Sequence, residues 1–232
     1  MIANEPAAAP KPPVREHLID QQAEAVLRLL RTRRSHPFVL PDEPPREIID
    51  TLLELANHAP NHYLTQPWRF FVLRGDARRQ LGAAIVEEGL VRRPAPNRQA
   101  AEQRRQQVPL SFERAPIVVA VAAAPPSHPH IAEWEELAAT AAAAQSILIG
   151  AQALGLAAYW RSNGTEAESA RRFLGLEPGT RLIGFIYLGY PDPSSTLMEK
   201  PRRPHHEFVR WIGWDDEPGV PGGPNELGGR GG

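Results

Sequence analysis

Three short clusters in the 232-residue chain hold side chains whose types exceed what local folding needs. The first is Arg33, Arg34 and Ser35, where a helical pattern dissolves into His36-Pro37. Two guanidiniums and a hydroxyl can donate charge-assisted and neutral hydrogen bonds to a phosphate and a polyol chain. The alternative use is a pair of arginines completing a helix C-terminus. The second cluster runs Ala59-Pro60-Asn61-His62-Tyr63-Leu64-Thr65-Gln66-Pro67-Trp68, a non-helical connection dense in donors, acceptors and aromatic surface. Loops at such junctions commonly carry function. An ordinary turn with a core tryptophan would need neither His62 nor Gln66. The third cluster, Trp160-Arg161-Ser162-Asn163-Gly164, ends an apolar strand, where an arginine beside a glycine-containing turn can approach a flat polar ring. Surface pairing of Arg161 is the competing use.

Other chemistries lack their residues. With no cysteine, disulfides, thiolate metal sites, thiol catalysis and iron–sulfur ligation are excluded, and a reducing, cytoplasmic setting is expected. His128 with His130, and His205 with His206, lack the helical i, i+4 spacing and carboxylate set of a zinc site, so no metal is expected. Neither a nucleophile elbow nor a phosphate-cradling glycine loop is present. The formal net charge of −1 provides no global field to gather nucleic acid or anionic lipid, so anion binding must be local.

The elements that must position these clusters follow from periodicity. Ala23, Val26, Leu27 and Leu30 form the apolar stripe of a helix ending near Arg33. Pro44 and Pro45 suit the first turn of a second helix, in which Ile48, Ile49, Leu52, Leu53 and Ala56 repeat until Pro60. Strands are expected at Trp68–Leu73, Ile117–Ala123, Leu156–Trp160 and Leu182–Leu188. A helix should follow Asp76 as N-cap, and residues 92–107, basic and broken by Pro94 and Pro96, read as a mobile excursion or partly helical lid. Glu133–Ala153 is the strongest helix signal, with acids in its first turn and small residues on nearly every side. Thr165 and Glu168 form a capping-box pattern before a helix ending near Gly175. The run Leu137–Ala158 is too alanine-rich and polar for a membrane span. Residues 1–15, without the apolar core of a secretory signal, and the Gly/Pro-rich 215–232 are expected to be disordered, leaving one folded domain over 16–214. The element order suggests an α+β or α/β three-layer domain.

Taken in order, Arg33-Arg34-Ser35, the Ala59–Trp68 loop, the alanine-rich helix leading to Trp160-Arg161-Ser162, and the strand Ile183–Gly189 resemble the nitroreductase superfamily, in particular its small bacterial branch. The likeness spans Ala23 to Trp211. It implies an α+β fold with a mainly antiparallel sheet flanked by helices, a long central alanine-rich helix and an intertwined homodimer with FMN at the subunit interface. By position, Arg33, Arg34 and Ser35 would hold the FMN phosphate and ribityl chain. His62 and Gln66 would lie near the isoalloxazine, supplied by one or both subunits, and Trp160, Arg161 and Ser162 would complete the pocket. Lys200, Arg202 and Arg203 would add phosphate contacts, or else form a solvated basic run. Residues 150–155 align with a segment associated with NAD(P)H in that branch, although helix packing explains them better.

One departure stands out. Many larger relatives carry a basic residue two positions after the serine, near the flavin pyrimidine edge; here it is Pro37, leaving Arg161 or His62 to supply a donor. The implied activity is hydride transfer from NADH or NADPH to FMN and on to nitroaromatics, quinones or similar small electrophiles. The flavin carries the chemistry and no side chain need act as acid or base. The alternatives are a non-catalytic FMN-binding protein and a relative specialised for another flavin redox step, such as dehalogenation or dehydrogenation.

Overall fold

The computed structural model describes residues 21–198 and 200–212; the expected terminal segments 1–15 and 215–232 lie outside them. The chain divides into a body ending at Ser195 and a C-terminal unit beginning at Thr196.

The body is built on four strands: β1 (Trp68–Arg74), β2 (Ile117–Ala123), β3 (Ala157–Arg161) and β4 (Arg181–Gly189). Their order is β1-β2-β4-β3, and every neighbouring pair is antiparallel. Side-chain alternation then creates two cores. Ile117, Val119, Val121, Ile186 and Leu188 face one side, whereas Val118, Ala120, Phe185 and Tyr187 face the other. This two-sided burial explains why β2 reads as an unbroken apolar run.

Helices α2 (Arg46–Asn57) and α5 (Glu133–Ala153) cover the first face, with α1 (Gln21–Thr32) against α5. Helices α3 (Asp76–Arg92), α4 (Arg98–Phe112) and α6 (Glu168–Phe173) form the layer on the second. The result is the expected α+β three-layer sandwich. Alanines on α5 bring neighbours close, and Gly150 does so further: a Cβ there would lie 2.8 Å from Leu55 Cδ1 and 2.9 Å from Leu52 Cδ2. The glycine is thus accounted for by the seating of α2 on α5. Helix α1 differs from the others, because none of its residues is buried and Val26 and Leu30 remain exposed despite its amphipathic pattern.

Three local expectations need correction. The N-cap of α3 is Gly75, at φ 55°, with Asp76 the first helical residue. Of the two readings of residues 92–107, the mobile excursion gives way to the partly helical one: α4 occupies most of the segment, opened by Asn97, whose side chain accepts from the Ala100 N–H at 2.8 Å, and Pro94 and Pro96 lie before its start. Thr165 does not cap α6 but donates to the Ser162 carbonyl at 2.8 Å. The cap comes instead from α3: Glu88 accepts the N–H groups of Glu168 (3.0 Å) and Ser169 (2.6 Å) and pairs with Arg92 at 2.7 Å. Partial burial pushes the Glu88 carboxyl up, but these backbone donors and Arg92 prevail and hold it below the usual glutamate range.

Candidate functional site

Arg33, Arg34 and Ser35 follow directly on α1, close to the C-terminal end of α5, where the Gln152 side chain donates to Thr32 Oγ1 at 2.9 Å. The chain then runs beside β3, with His36 N–H donating to the Ala158 carbonyl at 3.0 Å. Arg34 Nη1 turns back to the carbonyls of Arg31 (2.7 Å) and Arg33 (3.0 Å), so part of this guanidinium does close the helix end. Ser35 is exposed and both arginines are half-buried. Beside them, His36 Nδ1 is buried without a hydrogen-bond partner among the described residues. That orphan was not singled out from sequence, since nothing in a His-Pro dipeptide reveals its burial.

Trp160 and Arg161 leave β3 on opposite faces, as strand alternation requires. Trp160 packs with the core beneath α5. Its indole lies against the Gly184 backbone in the space that any Cβ at Gly184 would fill, so the glycine is required by this close approach. Arg161 instead faces the layer of α3 and α4, its Cζ 5.7 Å from the Tyr187 ring centroid. Its side chain therefore does not join Trp160 and Arg33–Ser35 on the α5 side. Ser162, just beyond the strand, is exposed.

The loop holding His62 and Gln66 occupies the other end of α5. His62 Nδ1 is 2.8 Å from Glu135 Oε2, and Thr65 Oγ1 donates to Glu136 Oε2 at 2.9 Å. Glu135 also accepts the Ala132 N–H at 3.1 Å. That backbone bond and the His62 contact hold its carboxyl below the usual range. Glu136 is only 2% exposed, and its Oε1 has no partner among the described residues. Asn57, the last residue of α2, accepts from Trp68 Nε1 at 3.1 Å and from Gln66 Nε2 at 3.4 Å. Tyr63, Leu64 and Gln66 all adopt positive φ, at 52°, 53° and 47°. Such backbone is strained for side-chain-bearing residues and is often found where function fixes a loop. The acids of α5 were legible only as favourable charges at a helix start; the contacts that recruit them to this loop are about seventy residues long in sequence.

The clusters thus separate into two groups. Arg33–Ser35 and Trp160 lie along the C-terminal part of α5 and β3, while His62 and Gln66 lie beyond its N-terminus. Between Glu135 and Gln152 the helix rises about 25 Å at 1.5 Å per residue. Lys200, Arg202 and Arg203 belong to the C-terminal unit and are exposed. There Arg203 pairs with Glu207 at 3.2 Å and sits 4.3 Å over the Phe208 ring. Among the described residues, no cluster of metal-ligating side chains occurs and no helix is long and apolar enough to cross a membrane.

Comparison with known proteins places this architecture. The chain is 30% identical over 177 residues to Escherichia coli K12 "Putative NAD(P)H nitroreductase YdjA", an alignment covering 75% of this chain and 93% of that protein. The crystal structure of the FMN-dependent nitroreductase NfnB from Mycobacterium smegmatis, in complex with NADPH, matches with 27% identity and a TM-score of 0.66, covering 83% and 100% of the two chains. The fold is shared by a nitroreductase-like protein from Bacillus cereus at 24% identity and a TM-score of 0.70, covering 82% and 96%. The model of the nitroreductase family matches residues 30–190, from the last turn of α1 to just past β4, and the chain therefore belongs to that family.

Proposed function

We propose that the protein is an FMN-dependent oxidoreductase that takes hydride from NADH or NADPH and reduces nitroaromatics, quinones or similar small electrophiles. The carrying observation is the Arg33-Arg34-Ser35 cluster next to β3 in a chain of the nitroreductase family, with the orphaned His36 Nδ1 beside it. These donors suit a phosphate and a polyol chain, so the residues fit the group. FMN, when bound, supplies reversible electron exchange between the nicotinamide and the acceptor.

The protein's part is to bind, orient and polarise. Arg33 and Arg34 neutralise the phosphate and Ser35 donates to it or to the ribityl chain. The Trp160 indole, held against Gly184, provides an apolar wall, and Ser162 borders it. Arg161 contributes through its backbone only, because its side chain faces away. That leaves His62 and Gln66 for the polar edge of the ring, with Glu135 fixing the imidazole at Nδ1 and leaving Nε2 to face the cofactor. Arg203 is engaged within its own unit, with Glu207 and Phe208.

His62 and Arg33–Ser35 are tied to opposite ends of α5, so one subunit does not bring them together. A homodimer solves this: Arg33–Ser35, Trp160 and Ser162 of one subunit meet His62 and Gln66 of a second copy. The uncovered apolar positions Val26 and Leu30 of α1 support such an assembly, since exposed apolar surface of this kind seeks cover.

The test is spectroscopic. The purified protein should be yellow, release FMN on denaturation, and lose its visible flavin absorbance when mixed anaerobically with NADH or NADPH. Persistent colour under both donors would refute turnover and leave a flavin-binding protein. A colourless protein that takes up no FMN would refute the cofactor itself.

A further inference from the structure

On the face of the sheet opposite Trp160, the α3/α4 layer and the turn after β3 line a partly open cavity of ≈ 190 Å³. Its walls include Ile85, Val108, Phe112 and Tyr187, with Arg161, Ser111 and Asn163 as polar members. An apolar cavity of about 150 Å³ is enough to take a benzene ring. This one therefore has room for a ring or branched chain plus a small polar head.

The charge on its wall has no carboxylate partner among the described residues. Arg161 Nη1 is buried and has no hydrogen-bond partner, and Arg161 forms no ion pair among the described residues. The Tyr187 ring lies within cation–π range and its hydroxyl is a neutral hydrogen-bond partner for the Arg161 side chain, but Nη1 is still left without an acceptor. Nor does Tyr187 serve as a counter-ion: burial pushes its hydroxyl above the usual phenol range, outweighing the opposing pull of Arg161 and Arg114, so it remains a neutral O–H. Ser111 is occupied in donating to the Val108 carbonyl at 2.7 Å. Arg161 is half-buried, and leaving a buried N–H of a charged group without an acceptor is costly; a carboxylate is the group whose geometry matches a guanidinium edge.

We propose that the Arg161 cavity binds a small monocarboxylate with an aromatic or branched apolar body, about the size of benzoate. The carboxylate accepts from Arg161 Nη1, and the apolar body rests among Ile85, Val108 and Phe112. The inference requires no bound flavin, because Arg161 points away from the Trp160 face.

Calorimetric titration of the purified protein, with its FMN content measured in parallel, tests this with benzoate and its neutral isostere benzamide. Benzoate should saturate one site per chain and bind at least about tenfold tighter than benzamide, the scale of one charge-assisted hydrogen bond. Arg161→Gln should remove that preference, and Val108→Trp, which fills the cavity without altering the cation, should abolish binding of both. Equal affinity for the two probes overturns the proposal, as does unchanged benzoate binding in folded Arg161→Gln. Should Arg161→Gln fail to fold, retained benzoate binding by Val108→Trp overturns it. Flavin content reports separately on the cofactor assignment, so failure of one reading is not mistaken for failure of the other.

Discussion

Replacing Thr65 with valine should loosen the loop that presents His62 and Gln66 while leaving the three-layer body folded. Tyr63, Leu64 and Gln66 sit at positive φ. At about 1–2 kcal/mol for each side-chain-bearing residue, their strain comes to about 3–6 kcal/mol. Opposing it are specific tethers. The Thr65 hydroxyl bond to buried Glu136 stabilises by about 1.5–3 kcal/mol, as bonds to charged groups do, and the Asn61 Oδ1 bond to the Gln66 N–H at 3.0 Å by about 1 kcal/mol. The stack of Tyr63 on His128, at 4.2 Å between centroids, adds about 0.5–1.5 kcal/mol. Strain and tethers are thus of similar size, so the ordered loop is poised near balance.

Valine keeps the shape of threonine and removes only the hydroxyl, leaving Glu136 Oε2 without its donor as Oε1 already is. Loss of about 1.5–3 kcal/mol should lower the ratio of ordered to open loop about ten- to hundredfold. Amide hydrogen exchange over residues 61–66 reads this directly, since local opening is measured apart from global unfolding. Protection there should fall by that factor while β2 and α5 stay protected, and FMN affinity should fall with it. Thr65→Ser, which restores the hydroxyl, should recover most of both. Unchanged protection in Thr65→Val, or protection lost equally in β2, would refute the argument.

Arg33→Ala should weaken FMN binding by about ten- to hundredfold through loss of charge-assisted phosphate contacts, measured by fluorescence titration; unchanged affinity would mean that Arg33 only ends a helix. Gly82→Ala should destabilise despite a helix-propensity gain of about 1 kcal/mol, because overpacking costs about 1–3 kcal/mol. The added Cβ would lie 2.6 Å from Pro109 Cα, a backbone atom that no rotamer change moves, so thermal melting should show a Tm lowered by a few degrees. Glu88→Ala should cost about 0.5–2 kcal/mol by removing the cap of α6. Because folding lowers the Glu88 carboxyl from its ordinary value of 4.5, its contribution is present above that pH and disappears as pH falls through the lower folded value. Denaturant melts of wild type and Glu88→Ala should therefore differ at neutral pH and converge in acid; a constant difference would refute the assignment.

Features set by residues near in sequence were legible. The apolar run 117–123 and the helix 133–153 match β2 and α5 to the residue, because uninterrupted burial and strong helix formers leave little competition. Asn97 was an N-cap signal of the ordinary kind, but the prolines before it and the polar sequence after it concealed α4. The cap of α6 was illegible for a deeper reason. Thr165 and Glu168 had the right local spacing, yet Glu88, eighty residues away, supplies two acceptor oxygens where Thr165 offers one.

The same distinction governs the candidate site. Residue types pointed to Arg33–Ser35, His62, Gln66 and Trp160–Ser162, but only the strand's pleat separates Trp160 from Arg161, and only the length of α5 separates His62 from Arg33. A strand turns successive residues to opposite faces, so three adjacent positions that look like one binding motif must serve two different layers. Trp160 then belongs to the α5 face and, on the proposed reading, to the cofactor. Arg161 is left half-buried beside a volume of its own, and the physical requirement that its buried Nη1 find an acceptor gives this second layer a function to test.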